Sequence, residues 1–208
     1  MTRKVIGIYL AAGKSSRFGN NKLMIPFGEG TLGSTALSVA TNSMLDMIIV
    51  IVRNDDKLYW LNAEISKNEK ITIVRCTDYF KGQSYSLKCG LHTAKEFGAD
   101  SVMILLADQP FITNNLINQL IQVHDKYKNL PFICATKKGV ICPPVLINQS
   151  MFNQFEAIQG DEGARKILGR KRNHGMLIEV KNQFYLFDID TKKDYEMAKL
   201  LLERFETK

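Results

Sequence analysis

The chain is 208 residues long, 45% hydrophobic and 24% charged, with a formal net charge of +7. Those proportions are ordinary for a globular protein and the length suits one α/β domain, which excludes a disordered or low-complexity chain. No apolar run approaches the ~20 residues that span a bilayer, and neither an arginine-rich run nor a basic and aromatic alternation marks a nucleic-acid surface; the positive charge favours an anionic partner but does not by itself choose its class.

Residues 4–10 read as a buried strand. Met1, Thr2, Arg3 and Lys4 ahead of this apolar run imitate a secretion signal, but the run is short, carries Gly7 and continues into charged residues. A long loop follows. Residues 32–44 then read as a helix, 47–52 as a strand, 56–67 as a helix around Leu58, Leu61 and Ile65, and 71–75 as a strand. The alternation repeats with a helix at 84–97, an apolar strand at 101–107, a helix at 114–127 for which Thr113 is the natural cap, and a final helix at 192–204. Continuous apolar strands between amphipathic helices predict a three-layer α/β/α fold around a mostly parallel sheet, in one domain spanning residues 1–208. Cys76, Cys89, Cys134 and Cys142 show no paired metal spacing, and His92, His124 and His174 stand apart from them. Neither a structural zinc nor a disulfide framework is expected, and a reducing cytoplasm is the expected compartment.

The loop over residues 10–22 carries the strongest chemical signal. Gly13 and Gly19 let the backbone crowd a ligand with its N–H groups, and Lys14, Arg17 and Lys22 supply charge that neutralises a polyphosphate. A P-loop would also present Gly13, Lys14 and Ser15, but it needs four residues before that triplet, and five separate Gly7 from Gly13. Gly19, Asn20, Asn21, Pro26, Gly28 and Gly30 further interrupt the helix that a P-loop enters. Ligands of parallel sheets bind beyond the carboxyl ends of the strands, where this loop, residues 81–86 and the Asp108, Gln109, Pro110 segment all fall. Asp108, a carboxylate held rigidly at the end of a buried strand, is the expected magnesium ligand.

Leu10, Ala11, Ala12, Gly13, Ser15, Arg17, Gly19 and Lys22 form the pattern Leu-Ala-Ala-Gly-x-Ser-x-Arg-x-Gly-x-x-Lys. It resembles the signature of the MobA-like nucleotidyltransferases, in particular their molybdenum cofactor cytidylyltransferase branch. Segments at 82–91, 108–110, 160–165 and 188–195 resemble that branch in the same order. The resemblance implies a Rossmann-like, GT-A-like nucleotidyltransferase fold, its N-terminal half binding the nucleotide and its C-terminal half the acceptor. It implies transfer of CMP from CTP to molybdopterin with release of pyrophosphate, Mg²⁺ as cofactor, and a molybdenum hydroxylase such as xanthine dehydrogenase as the recipient.

Residue roles follow from the same resemblance. Lys14 and Arg17 are implied at the β- and γ-phosphates, and Lys22 near the α-phosphate. Leu10, Ala11, Ala12, Gly13, Gly82, Ser84 and Ser86 are implied around the nucleotide, with Ala12 standing where the guanylyl branch carries glycine. Ser86 could instead cap the helix that follows it. Asp190, shared with Asp188, is implied as the second metal ligand, while Asp190 or Thr191 could equally cap the last helix. Asp161 and Arg165 open a helix whose N–H groups suit the acceptor's phosphate, the alternative being an Asp-capped helix with an outward arginine. Ile141, Cys142, Pro143 and Pro144 stand where the family has a glycine-containing turn, predicting a stiffer acceptor-facing turn. Two other functions suit the same residues: pyrimidine nucleotidyl transfer to a sugar or polyol phosphate, and a non-catalytic chaperone that holds the finished cofactor. Arg17, Lys22 and Asp108 favour turnover over holding.

Overall fold

The computed structural model describes residues 3–13, 18–19, 21–158, 160 and 164–206. Its elements in chain order are β1 (Val5–Leu10), β2 (Pro26–Phe27), β3 (Gly30–Thr31), α1 (Leu32–Thr41), β4 (Met47–Arg53), α2 (Ala63–Ser66), β5 (Ile71–Cys76) and α3 (Gln83–Glu96). There follow β6 (Ser101–Leu106), α4 (Asn114–Lys126), β7 (Phe132–Lys137), β8 (Val140–Asn148), α5 (Phe152–Glu156), α6 (Ala164–Arg170), β9 (Met176–Glu179) and α7 (Lys192–Glu206). A small antiparallel ribbon pairs β2 with β3, and the other seven strands form one sheet in the order β5-β4-β1-β6-β8-β7-β9. Only β8 runs against the rest, antiparallel to both β6 and β7.

The mostly parallel sheet expected from the sequence is thus present, and the alternation of its side chains explains the apolar runs. Successive residues of a strand face opposite sides. In β1, Val5 and Tyr9 enter the core beneath α1 and α4, whereas Ile6 and Ile8 enter the one beneath α3. Because β4 and β6 flank β1, the sheet is built outward in two directions from β1, and the loops after β1 and β6 open onto one crevice.

Helix α3 approaches β1 so closely that a Cβ on Gly90 would lie 2.5 Å from Ile8 Cγ2. That contact fixes how far the start of α3 reaches over the end of β1. Gly90→Val is expected to lower stability by about 1–3 kcal/mol through overpacking, seen as a reduced urea midpoint with an unchanged slope.

Three expectations are corrected. Only Ala63–Ser66 is helical within 56–67, because the buried Asp56 carboxylate accepts from Leu58 N at 2.7 Å and from Trp60 Nε1 at 3.3 Å, a local alternative to helical bonding. Leu58 also takes φ 60. The helix expected to reach residue 44 ends at Thr41, where Asn42 caps it and the Ser43 amide bonds to Ala40 O. Cys142, Pro143 and Pro144 lie within strand β8 rather than in a turn, with a cis peptide between the prolines and a register break opposite Cys134 and Ala135. A proline has no N–H to give a ladder, so the pair sits where the pairing is interrupted.

At the amino end of the sheet, His124 is buried with Nε2 2.6 Å from Ser101 Oγ and 3.3 Å from Arg3 Nη1. Burial, then the Arg3 charge, pushes its pKa below the ordinary 6.5, against Asp125 and Asp100. The unfolded chain therefore binds this proton more readily, and the stability His124 contributes is present above pH 6.5 and lost as pH falls below it. The urea midpoint is expected to drop between about pH 7.5 and about pH 5.5, and His124→Gln to flatten that slope.

Candidate active site

Lys22 forms the centre of a charged cluster in the crevice. Asn21 accepts from Leu23 N at 3.3 Å and caps a 3₁₀ turn over Lys22–Met24, which directs Lys22 inward until it is only 8% exposed. Its Nζ donates to Asp108 Oδ2 at 2.7 Å, to Ile189 O at 2.9 Å and to Asp190 Oδ1 at 3.2 Å. Asp108 stands just beyond β6, and the bond from Ile189 N to Asp108 O, 2.9 Å, holds the two segments together. Of the two capping candidates, Thr191 serves α7: its Oγ1 accepts from Asp194 N at 3.2 Å, while the Asp194 carboxylate accepts from Thr191 N and Oγ1, both at 2.7 Å. Asp190 instead directs its carboxylate at Lys22.

Beside this cluster lies a cavity of about 330 Å³ between the ends of β1, β6 and β8 and the starts of α3 and α6. Its wall is largely apolar, with Gln83, Arg165 and Asp188 as the polar groups. Asp188 keeps solvent contact but is crowded by protein, and that desolvation, followed by the negative charge of Asp108, pushes its pKa up to about 6. Asp190 adds to the effect, and the Gln109 side chain and Lys22 oppose it. Arg165 is exposed yet lines the cavity, its Nε donating to Ile141 O at 3.0 Å. Burial raises the Cys142 thiol pKa, with Arg165 opposing.

The residues expected around the nucleotide lie at the end of β1 and the start of α3, and of them only Leu10 lines the cavity. Ala11 and Ala12 are buried and the Ala11 amide continues the ladder to Ile51 O at 2.9 Å, while Leu10 faces the cavity and Gly13 is exposed. Gly82, at φ 121, precedes α3. Ser84 is fully buried, and its amide and hydroxyl both donate to Gly160 O, at 3.1 and 2.7 Å. Ser86 lies inside the first turn of a helix that begins at Gln83, so it does not cap it. Lys14, Arg17 and Asp161 lie outside the described residues. Sequence reasoning missed Gln83 as a cavity residue and the Ile189 carbonyl as a partner of Lys22; Gln83 sits inside a segment already singled out, but nothing in an isoleucine announces its carbonyl.

Asp108 Oδ1 is buried and has no hydrogen-bond partner among the described residues. Together with Asp190 it offers hard oxygen donors, and no group of three or more His, Cys, Asp or Glu among the described residues could hold a metal without other ligands. Mg²⁺ and similar ions take one or two carboxylates and complete their shell with phosphate oxygens and water. The residues present therefore fit a divalent cation that arrives with a triphosphate.

The sequence matches the model of the MobA-like NTP transferase domain over residues 7–175. The chain belongs to this family. It is 34% identical over 200 residues to the purine catabolism protein PucB of Bacillus subtilis, covering 94% of this chain and 96% of that protein. To the molybdenum cofactor cytidylyltransferase of Escherichia coli it is 24% identical over 192 residues, covering 92% and 94%. The crystal structure of Rv0371c from Mycobacterium tuberculosis in complex with manganese shares the fold, with a TM-score of 0.73 at 19% identity over 94% of this chain and 97% of that one. The MobA-like chain is thus a nucleotidyltransferase, and among its described residues no helix is long and apolar enough to cross a membrane.

Proposed function

We propose that this MobA-like protein transfers CMP from CTP to molybdopterin, releasing pyrophosphate, to equip a molybdenum hydroxylase in a reducing cytoplasm. The observation that carries the reading is the meeting of Lys22, Asp108 and Asp190 in the crevice beside β1, next to a cavity large enough for an acceptor ring. One relative is named a molybdenum cofactor cytidylyltransferase, which supports molybdopterin as the acceptor, and another a purine catabolism protein, which favours a purine hydroxylase such as xanthine dehydrogenase as recipient.

In this reaction a phosphate oxygen of the acceptor bonds to the α-phosphorus of CTP as the bond to pyrophosphate breaks. The nucleophile is already anionic, so the protein's task is to align it and to counter repulsion between phosphates. Lys22 supplies positive charge where it accumulates, and Lys14 and Arg17 hold the β- and γ-phosphates. Asp108 and Asp190 hold the divalent ion, which neutralises phosphate charge when bound; the manganese complex of Rv0371c supports such an ion. Ala12 and the segment from Gly82 to Ser86 take the cytosine. Arg165 and Asp188, in an apolar wall, suit a pterin with its phosphate.

The test is pyrophosphate release by purified protein with Mg²⁺, molybdopterin and, separately, CTP, GTP, ATP and UTP. CTP is expected to exceed GTP by at least about 10²-fold; no release with CTP contradicts the proposal.

A further inference from the structure

We infer that Lys22 is a resident counter-ion that holds Asp108 and Asp190 together in the free protein and exchanges with the divalent ion when metal and triphosphate bind as a unit. This rests on the nucleotidyl-transfer reading. The Lys22 side chain is nine-tenths buried, its ammonium held by two carboxylate oxygens at 2.7 and 3.2 Å and a carbonyl oxygen at 2.9 Å. All three acceptors belong to one stitched unit, since the Ile189 amide bonds to Asp108 O. A metal ion on the same Asp108 carboxylate would face the ammonium at close range, at a site where the Asp108 and Asp190 side chains are 22% and 37% exposed, and two positive charges that close repel. One of them must leave.

The exchange is mechanically simple. The backbone of Lys22 is pinned by the Asn21-capped turn, but its four-carbon stem can swing. The triphosphate provides the anionic surface that receives the ammonium, and the Asp108 Oδ1 atom, buried without a hydrogen-bond partner among the described residues, gives the carboxylate capacity beyond its bond to Lys22. Metal alone finds the carboxylates occupied; metal with nucleotide does not. Lys22 thereby couples metal entry to substrate entry and reaches the phosphates only in the loaded enzyme.

The test measures Mn²⁺ binding to nucleotide-free protein by electron paramagnetic resonance of free Mn²⁺. Lys22→Met is expected to bind Mn²⁺ at least about tenfold more tightly than wild type, and Lys22→Met combined with Asp108→Asn to lose the gain. Lys22→Gln serves as a second neutral variant should the methionine disturb the fold by circular dichroism. Equal Mn²⁺ affinity in wild type and a folded neutral variant overturns the exchange. Pyrophosphate release by wild type with CTP, assayed on the same preparation, separates that failure from failure of the transfer reading.

Discussion

Replacing Lys22 with methionine is expected to slow CMP transfer by about 10²–10³-fold while the protein stays folded. Methionine fills much of the space of the buried lysine stem, so the packing above Leu23 and α1 is kept. What disappears is the only cation that the described structure places on both Asp108 and Asp190. In the loaded enzyme the triphosphate then lacks the ammonium that counters charge developing at the α-phosphate, and preorganised electrostatic partners of this kind carry much of the rate in transfer reactions that need no general base. The loss should appear in kcat more than in the KM for CTP, because the triphosphate contacts proposed for Lys14 and Arg17 and the proposed base pocket remain. Steady-state pyrophosphate release with molybdopterin and CTP reads it, and an unchanged kcat removes Lys22 from the mechanism.

Asp108→Asn is expected to cost about 10³-fold in turnover at low metal, with part of the rate recovered as Mn²⁺ is raised. The substitution keeps the shape of the side chain, and the backbone oxygen of residue 108 still accepts from Ile189 N, so the stitch that positions Asp190 survives. Lys22 also retains Asp190 and the Ile189 carbonyl. The defect is therefore electronic: an amide oxygen is a weaker, neutral ligand for a hard cation. A metal titration of the rate distinguishes this from collapse of the site. A fixed loss at every metal concentration would place Asp108 in the structure rather than at the metal.

The central strands were legible because β1, β4 and β6 are continuous apolar runs buried on both faces. The helix expected at 56–67 misled because Leu58, Leu61 and Ile65 have helical spacing, while the bonds of the Asp56 carboxylate favour a turn and carry no periodic signal. Strands β7, β8 and β9 escaped the sequence reading, in part because Pro143 and Pro144 interrupt the pattern of β8 and look like a turn. At the site, Lys22 and Asp108 were recognisable as chemistry, but their contact joins positions 86 residues apart and depends on strand order. The competition between Asp190 and Thr191 for the helix cap was undecidable from spacing. It is decided by the reciprocal bonds of Thr191 with Asp194. Asp188 and Asp190 share a motif and both feel the Asp108 and Lys22 cluster, but Asp188 lines the cavity while Asp190 accepts from Lys22.

The most direct measurement follows the phosphorus atom. CTP labelled with ³²P at the α-position is incubated with the protein, a divalent metal ion and molybdopterin, with GTP labelled in the same way as the comparison. The account predicts label in a pterin dinucleotide that releases CMP on acid hydrolysis, and none transferred from GTP. Label that stays in CTP with molybdopterin present, or that in a parallel incubation with a sugar or polyol phosphate added moves to that acceptor instead, would contradict it.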